Sequence, residues 1–179
     1  MKDALAIHRW LLAHQVHHEI LRLPRSLSAA DDLPEILGVP PENCLRVTVF
    51  EATYPFGSEP VALIGSVAAP TRPALIAAIL GARRVRPAPA FLINSVTDYA
   101  ADLVCPLLLP DELTVLLDQR LIDSLRPDDS VYSPTGERST ALLLLAHDLF
   151  ALVGGKAVEL RAHGARHGPG GLGGITAPR

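Results

Sequence analysis

Arg46 lies in Leu45-Arg46-Val47-Thr48-Val49-Phe50, a run rich in β-branched residues, so a strand carries its guanidinium. An arginine there either offers a planar fork of donors to a phosphate or carboxylate, or points outward into a surface ion pair. Downstream, the ten residues Thr97-Asp98-Tyr99-Ala100-Ala101-Asp102-Leu103-Val104-Cys105-Pro106 gather two carboxylates, a phenol and a thiol. Aspartate is a capping residue of turns and helices, and capping is the expectation for Asp98. Asp102 is open between that role and a carboxylate turned into a cavity. Cys105 would need an adjacent base or a depressed pKa to act as a nucleophile. The sequence fixes none of His8, His14, His17, His18 or His147 beside it, so a buried thiol is expected. Asp118, in Leu116-Leu117-Asp118-Gln119-Arg120-Leu121, either pairs with Arg46 or starts the next turn.

Two other clusters carry less. His14, His17 and His18 have spacings that can bind zinc, but no acidic or cysteine partner has matching spacing, so a surface cluster and no metal are expected. Arg83-Arg84-Val85-Arg86 is either a solvated run or a contact for a nucleic-acid backbone. The chain has no GxGxxG, GxxxxGK[ST] or HExxH, which removes the dinucleotide, P-loop and zincin readings. No cofactor is expected.

These residues need a scaffold, and the composition describes one. Hydrophobic residues make up 49% of 179, with aromatics at 4%, which suits one aliphatic α/β core. A net charge of -3 gives no general attraction to nucleic acid, so any such affinity must come from a local patch or a partner. Cys44 and Cys105 form no CxxC pair and read as reduced, buried thiols. No secretory signal opens the chain, and the apolar run 142–146 is too short to span a bilayer. A cytoplasmic chain with neither membrane nor DNA as partner is expected.

The periodicity predicts helices over about 4–15, from Ser28 to Leu37, over 71–80, from Phe91 toward Tyr99, and over 147–152. Ser28 is the expected cap of the second. Strands are predicted over 17–23, 45–51, 61–67, 114–118, 130–133, 140–145 and 157–160, with 83–87 as strand or loop. A turn or short loop is predicted over 54–60. Strands outnumber helices without strict alternation. The expected fold is therefore α/β (α+β): one domain over 1–160, with a mixed, mostly antiparallel sheet or partial barrel and flanking helices. Residues 161–179, rich in Gly, Pro, His and Arg, read as a flexible tail.

The Arg46 strand and the Thr97–Pro106 segment together resemble the pocket of the YbaK/ProRS-associated family, a set of aminoacyl-tRNA editing domains. That family shows a lysine in a Lys-Thr-Leu-Val-Phe-like strand and later a Gly-Tyr-x-x-Gly-x-x-x-Pro segment. Here Arg46 stands at the lysine, Asp98 and Asp102 stand at the glycines, and Tyr99 and Pro106 are kept. The resemblance runs from about Leu5 to Leu160. It implies a deacylase that hydrolyses the ester of a mischarged tRNA, using water and the substrate's own ribose hydroxyl rather than a protein nucleophile. It implies catalytic positions at Arg46 and Asp102, and a substrate pocket formed by Arg46, Tyr99, Cys105, Pro106, Asp118 and Gly136. Gly136 enters through Ser133–Arg138, which is loosely similar to a pocket loop. The implied partners are the aminoacyl end of tRNA and an aminoacyl-tRNA synthetase. Replacement of the lysine and both glycines equally fits a non-catalytic homologue that binds an aminoacyl group, a nucleotide or a protein.

Overall fold

In the computed structural model, which describes residues 1–161, the Asp3 carboxylate accepts the Ala6 N–H at 2.8 Å and caps helix α1 (Ala4–Ala13). Ala4, Ile7 and Leu11 recur at helical spacing and are its buried residues. The helix stops two residues short of the expected Gln15, which takes φ 56°, and the chain enters β1 (His18–Arg22). Of the tail expected over 161–179, all but Arg161 lies outside the described residues.

Ser28 does not cap the next helix. Its backbone N–H donates to Asp32 Oδ2 at 2.7 Å, a 3-10 turn fills Ala30–Asp32, and only Leu33–Leu37 is α-helical (α2), ending at Gly38 with φ 64°. β2 (Leu45–Tyr54) and β3 (Gly57–Ser66) then form a long antiparallel hairpin, paired from Leu45–Ser66 to Tyr54–Gly57. The turn expected over 54–60 shrinks to Pro55 and Phe56. The chain continues through α3 (Pro73–Leu80), β4 (Arg84–Pro87), α4 (Ala90–Thr97), β5 (Thr114–Asp118), α5 (Gln119–Ser124), β6 (Ser130–Pro134), β7 (Thr140–Leu145), α6 (Ala146–Leu152) and β8 (Lys156–Val158).

The strands form two sheets. One has the order β4-β2-β3-β5-β8, with antiparallel pairs at β4–β2 and β2–β3 and parallel pairs at β3–β5 and β5–β8. The other, β1-β7-β6, is antiparallel throughout. An isolated bridge between Cys44 and Tyr132 links the start of β2 to β6, and among the described residues no closed barrel forms. The mixed, mainly antiparallel α/β architecture is thus the expected one, divided between two sheets. Side chains alternate along β2. Leu45, Val47 and Val49 enter the larger core with Ile7, Tyr99 and Leu142. Phe50 and Ala52 face the other way, with Ile76 of α3 and Val85 of β4. Arg46 and Thr48 fall on this second register, against the Ala69–Thr71 segment that precedes α3.

Candidate functional site

Pro87 closes β4 opposite Phe50, and the last bond to β2 is Ala88 N–H to Val49 O at 2.9 Å. Past Ala88 the chain turns into α4 (Ala90–Thr97), and the ladder ends there. The edge of β2 from Arg46 to Val49 is left open and forms the wall of a cleft of about 270 Å³. Ala30, Val47, Val49, Ala88, Ile93 and Val104 make it largely apolar. Asp31, Arg46 and Asp102 bring its charges.

Arg46 spans the mouth. Its Nη1 donates to Asp31 Oδ1 at 2.7 Å, and its Nη2 donates to Ala69 O at 2.9 Å and to Thr71 Oγ1 at 3.4 Å. The guanidinium has five N–H groups, so these contacts leave donors for a ligand. Asp31 and Thr71 are site residues that the sequence motif does not contain. Asp31 comes from the 3-10 turn and Thr71 from the loop before α3, and only the pairing of distant segments brings them to Arg46.

Both family glycine positions keep a glycine-like backbone. Asp98 has φ 60° and Asp102 φ 68°, the left-handed region that aspartate tolerates better than most residues. Asp98 is the C-cap of α4, and its carboxylate lies 3.2 Å from the Met1 ammonium, away from the cleft. Asp102 lines the cleft, and its carbonyl accepts the Ala30 N–H at 3.1 Å. Among the described residues its carboxylate joins no ion pair. Its own backbone N–H likewise finds no backbone acceptor.

The other residues of the implied pocket are elsewhere. Tyr99 is fully buried; its hydroxyl donates to Leu107 O at 2.8 Å, and Lys2 Nζ stands 5.3 Å from its ring centroid. Burial pushes the Tyr99 phenol up and the Cys105 thiol up to about 11. Cys105 is enclosed against Ser133 Oγ at 3.8 Å, and among the described residues no histidine touches its sulfur. Pro106 faces a separate cleft of about 570 Å³ with Trp10, Leu109 and Leu152. Gly136, at φ 90°, packs so tightly that a Cβ would stand 2.6 Å from Lys2 O and 2.9 Å from Tyr99 Cδ1. The single pocket implied by the resemblance therefore divides: Arg46 and Asp102 share a cleft, while Tyr99, Cys105 and Gly136 support it from the core.

Asp118 takes the second of its two expected roles. Its side chain accepts the Arg120 N–H at 2.9 Å, capping α5, and its Oδ2 pairs with Arg120 Nη2 at 2.7 Å. Arg46 and Asp118 meet only across a space of about 10 Å³ that Arg120 also lines. The Asp118 carboxylate in turn raises the Arg120 pKa.

The histidines disperse. His14 Nδ1 contacts Trp10 O at 2.8 Å, while His18 contacts His8 at 2.9 Å and Val16 O at 2.8 Å. No group of three or more His, Cys, Asp or Glu among the described residues is arranged to hold a metal. In the arginine run, Arg86 pairs with Glu51 at 2.7 Å, Arg84 is exposed at the start of edge strand β4, and Arg83 is exposed just before it. No helix among the described residues is long and apolar enough to cross a membrane.

Comparison with known proteins gives this geometry a context. Among curated proteins, none matches the chain. A computationally designed scaffold made for epitope grafting is 17% identical, with TM-score 0.69, over 87% of this chain and 94% of its own. The crystal structure of a hypothetical protein is 18% identical, with TM-score 0.70, over 86% and 97%. A third structure, described provisionally as a trans-editing enzyme for prolyl tRNA synthetase, is 20% identical, with TM-score 0.65, over 82% and 87%. At these identities the likeness is one of fold. The aminoacyl-tRNA editing domain model matches residues 25–152, a span that holds the open edge of β2, the Asp102 turn and the whole cleft. The chain belongs to the aminoacyl-tRNA editing domain family.

Proposed function

We propose that the protein is a deacylase that hydrolyses the ester of a mischarged tRNA. The observation that carries the reading is that Arg46 and Asp102, distant in sequence, line one apolar-walled cleft. Arg46 holds the phosphate or ribose of the terminal adenosine with the donors that Asp31, Ala69 and Thr71 leave unused. The acyl group lies among Ala30, Val47, Val49 and Ala88, whose small side chains suit a small amino acid. A water oxygen attacks the ester carbonyl carbon, assisted by the neighbouring ribose hydroxyl. The Asp102 N–H, presented by the left-handed turn, donates to the oxyanion as it forms. The bond from the carbonyl carbon to the ribose oxygen then breaks. The products are the free amino acid and a tRNA whose ribose oxygen has taken a proton. Cys105, enclosed with its proton held to about pH 11, serves as support and not as nucleophile.

A second hydrolytic step of this kind meets a need, because one methylene gives a synthetase only about 1–3 kcal/mol of discrimination. With a net charge of -3, the chain draws its tRNA affinity from the exposed Arg83 and Arg84 at the start of β4 or from an associated synthetase, in the cytoplasm. The test is incubation of the purified protein with a panel of mischarged tRNAs carrying small amino acids. Ester loss above the buffer rate, reduced by Arg46→Ala, supports the proposal. No release from any tRNA at high protein concentration defeats it and leaves a binding homologue.

A further inference from the structure

We infer that the Asp102 carboxylate is a specificity determinant that recognises the free α-ammonium group of the aminoacyl ester, so that N-blocked acyl groups are excluded. The inference rests on the deacylase reading and names the substrate feature that the cleft selects.

Charge within the cleft is the starting point. Of its three charged residues, Asp31 and Arg46 neutralise each other at 2.7 Å. Asp102, exposed at the rim, is left with no cation among the described residues, so the cleft carries one uncompensated negative charge at its edge. An unpaired carboxylate at the cleft rim favours a ligand that brings a cation, and it disfavours phosphate at the same spot. The bound molecule is therefore oriented, with phosphate or ribose toward Arg46 and a cation toward Asp102.

The chemistry of an aminoacyl ester supplies that cation in the right place. Its ammonium and its carbonyl oxygen stand on adjacent carbons. Asp102 offers a matching pair from one residue: a backbone N–H without a backbone acceptor, and a carboxylate without an ion-pair partner. With the N–H on the carbonyl oxygen, the carboxylate is within one residue's reach of the ammonium, and the contact is a charge-assisted hydrogen bond. Formylated, acetylated and peptidyl esters lack the cation and would place an amide against the carboxylate. The aspartate at a family glycine position thus adds a reading group to the turn rather than merely obstructing it.

The experiment uses stable amide analogues, 3′-amino-3′-deoxyadenosine acylated with L-alanine, with N-acetyl-L-alanine or with L-lactate. Binding is titrated calorimetrically at pH 6.5, where an α-amino group of ordinary pKa about 7.7–8.0 is cationic. Wild-type protein is expected to bind the alanyl probe at least about 10-fold tighter than the lactyl or acetyl probe, as a hydrogen bond to a charged group predicts. Asp102→Asn is expected to bind all three within about 2-fold of one another. Equal binding of the three probes by wild type overturns the inference whether or not the variant folds. If those equal affinities accompany ester hydrolysis of mischarged tRNA, the inference alone falls. If no probe binds and no ester is lost, the deacylase reading falls with it.

Discussion

Arg46 Nη1 donates to Asp31 Oδ1 at 2.7 Å, so the cation of β2 is held at the cleft mouth by an acid fifteen residues upstream. That contact fixes the guanidinium plane, and a second bond to Ala69 O ties it to the loop before α3. Arg46→Ala removes the fork and its orientation together. Loss of one charge-assisted hydrogen bond, about 1.5–3 kcal/mol, predicts a fall of roughly 10- to 100-fold in kcat/KM for a mischarged tRNA. Steady-state ester hydrolysis measures it. An unchanged rate would remove Arg46 from the site.

Asp118 is 1% exposed and serves Arg120 rather than Arg46. Asp118→Ala strips a cap from α5 and leaves Arg120 without its carboxylate, at a cost of about 3 kcal/mol. Urea unfolding reads this directly. A double-mutant cycle between Arg46→Ala and Asp118→Ala should give a coupling below about 0.5 kcal/mol, as for sites without a shared bond. A larger coupling would mean that the two side chains act as a pair.

Gly136→Ala tests the support beneath the turn. The new Cβ meets Lys2 O at 2.6 Å and Tyr99 Cδ1 at 2.9 Å, and φ 90° is strained for any side chain. Strain and overpacking together predict a loss of at least about 2 kcal/mol. For a chain of this length that lowers Tm by roughly 4–8 °C, readable by circular dichroism. A Tm equal to wild type would mean that the loop is free to move.

The two thiols predict the alkaline limb of stability. Burial pushes Cys105 up to about 11 and Cys44 up to about 12, from an ordinary 9.0. Above pH 9 the unfolded chain sheds thiol protons that the folded chain still holds. Stability is therefore full below about pH 9 and declines as pH rises toward 11. Tyr99, also raised by burial, steepens the fall above pH 10. Urea midpoints at pH 8 and pH 10.5 under reducing conditions should show the drop, and a Cys44→Ala/Cys105→Ala variant should show less of it. Both thiols should resist iodoacetamide at pH 7.5 until urea is added.

Local signals carried the hairpin and the bend, and failed where distant segments meet. The β-branched run around Arg46 and the aspartates at 98 and 102 announce a strand and two turns by residue type alone, and φ values of 60° and 68° agree. The bend reads from sequence as one surface. Side chains of an extended stretch alternate, however, so Val104 reaches the cleft while Cys105 enters the core. Helix α5 has six residues, too few for periodicity to register, and its only signal is Asp118 two residues before Arg120. Nothing local tells β1 to pair with β7 across more than a hundred residues, which is why two sheets stand where the sequence suggests one.

The bridge between Cys44 and Tyr132 lies two residues before Arg46 on the same chain segment. A bulky replacement at Cys44 would act as a wedge in that seam, and the tilt it imposed would reach the arginine with little slack to absorb it. The cleft is therefore mechanically geared to the joint between the sheets, and crowding at a residue that never meets the ligand would loosen the grip on it.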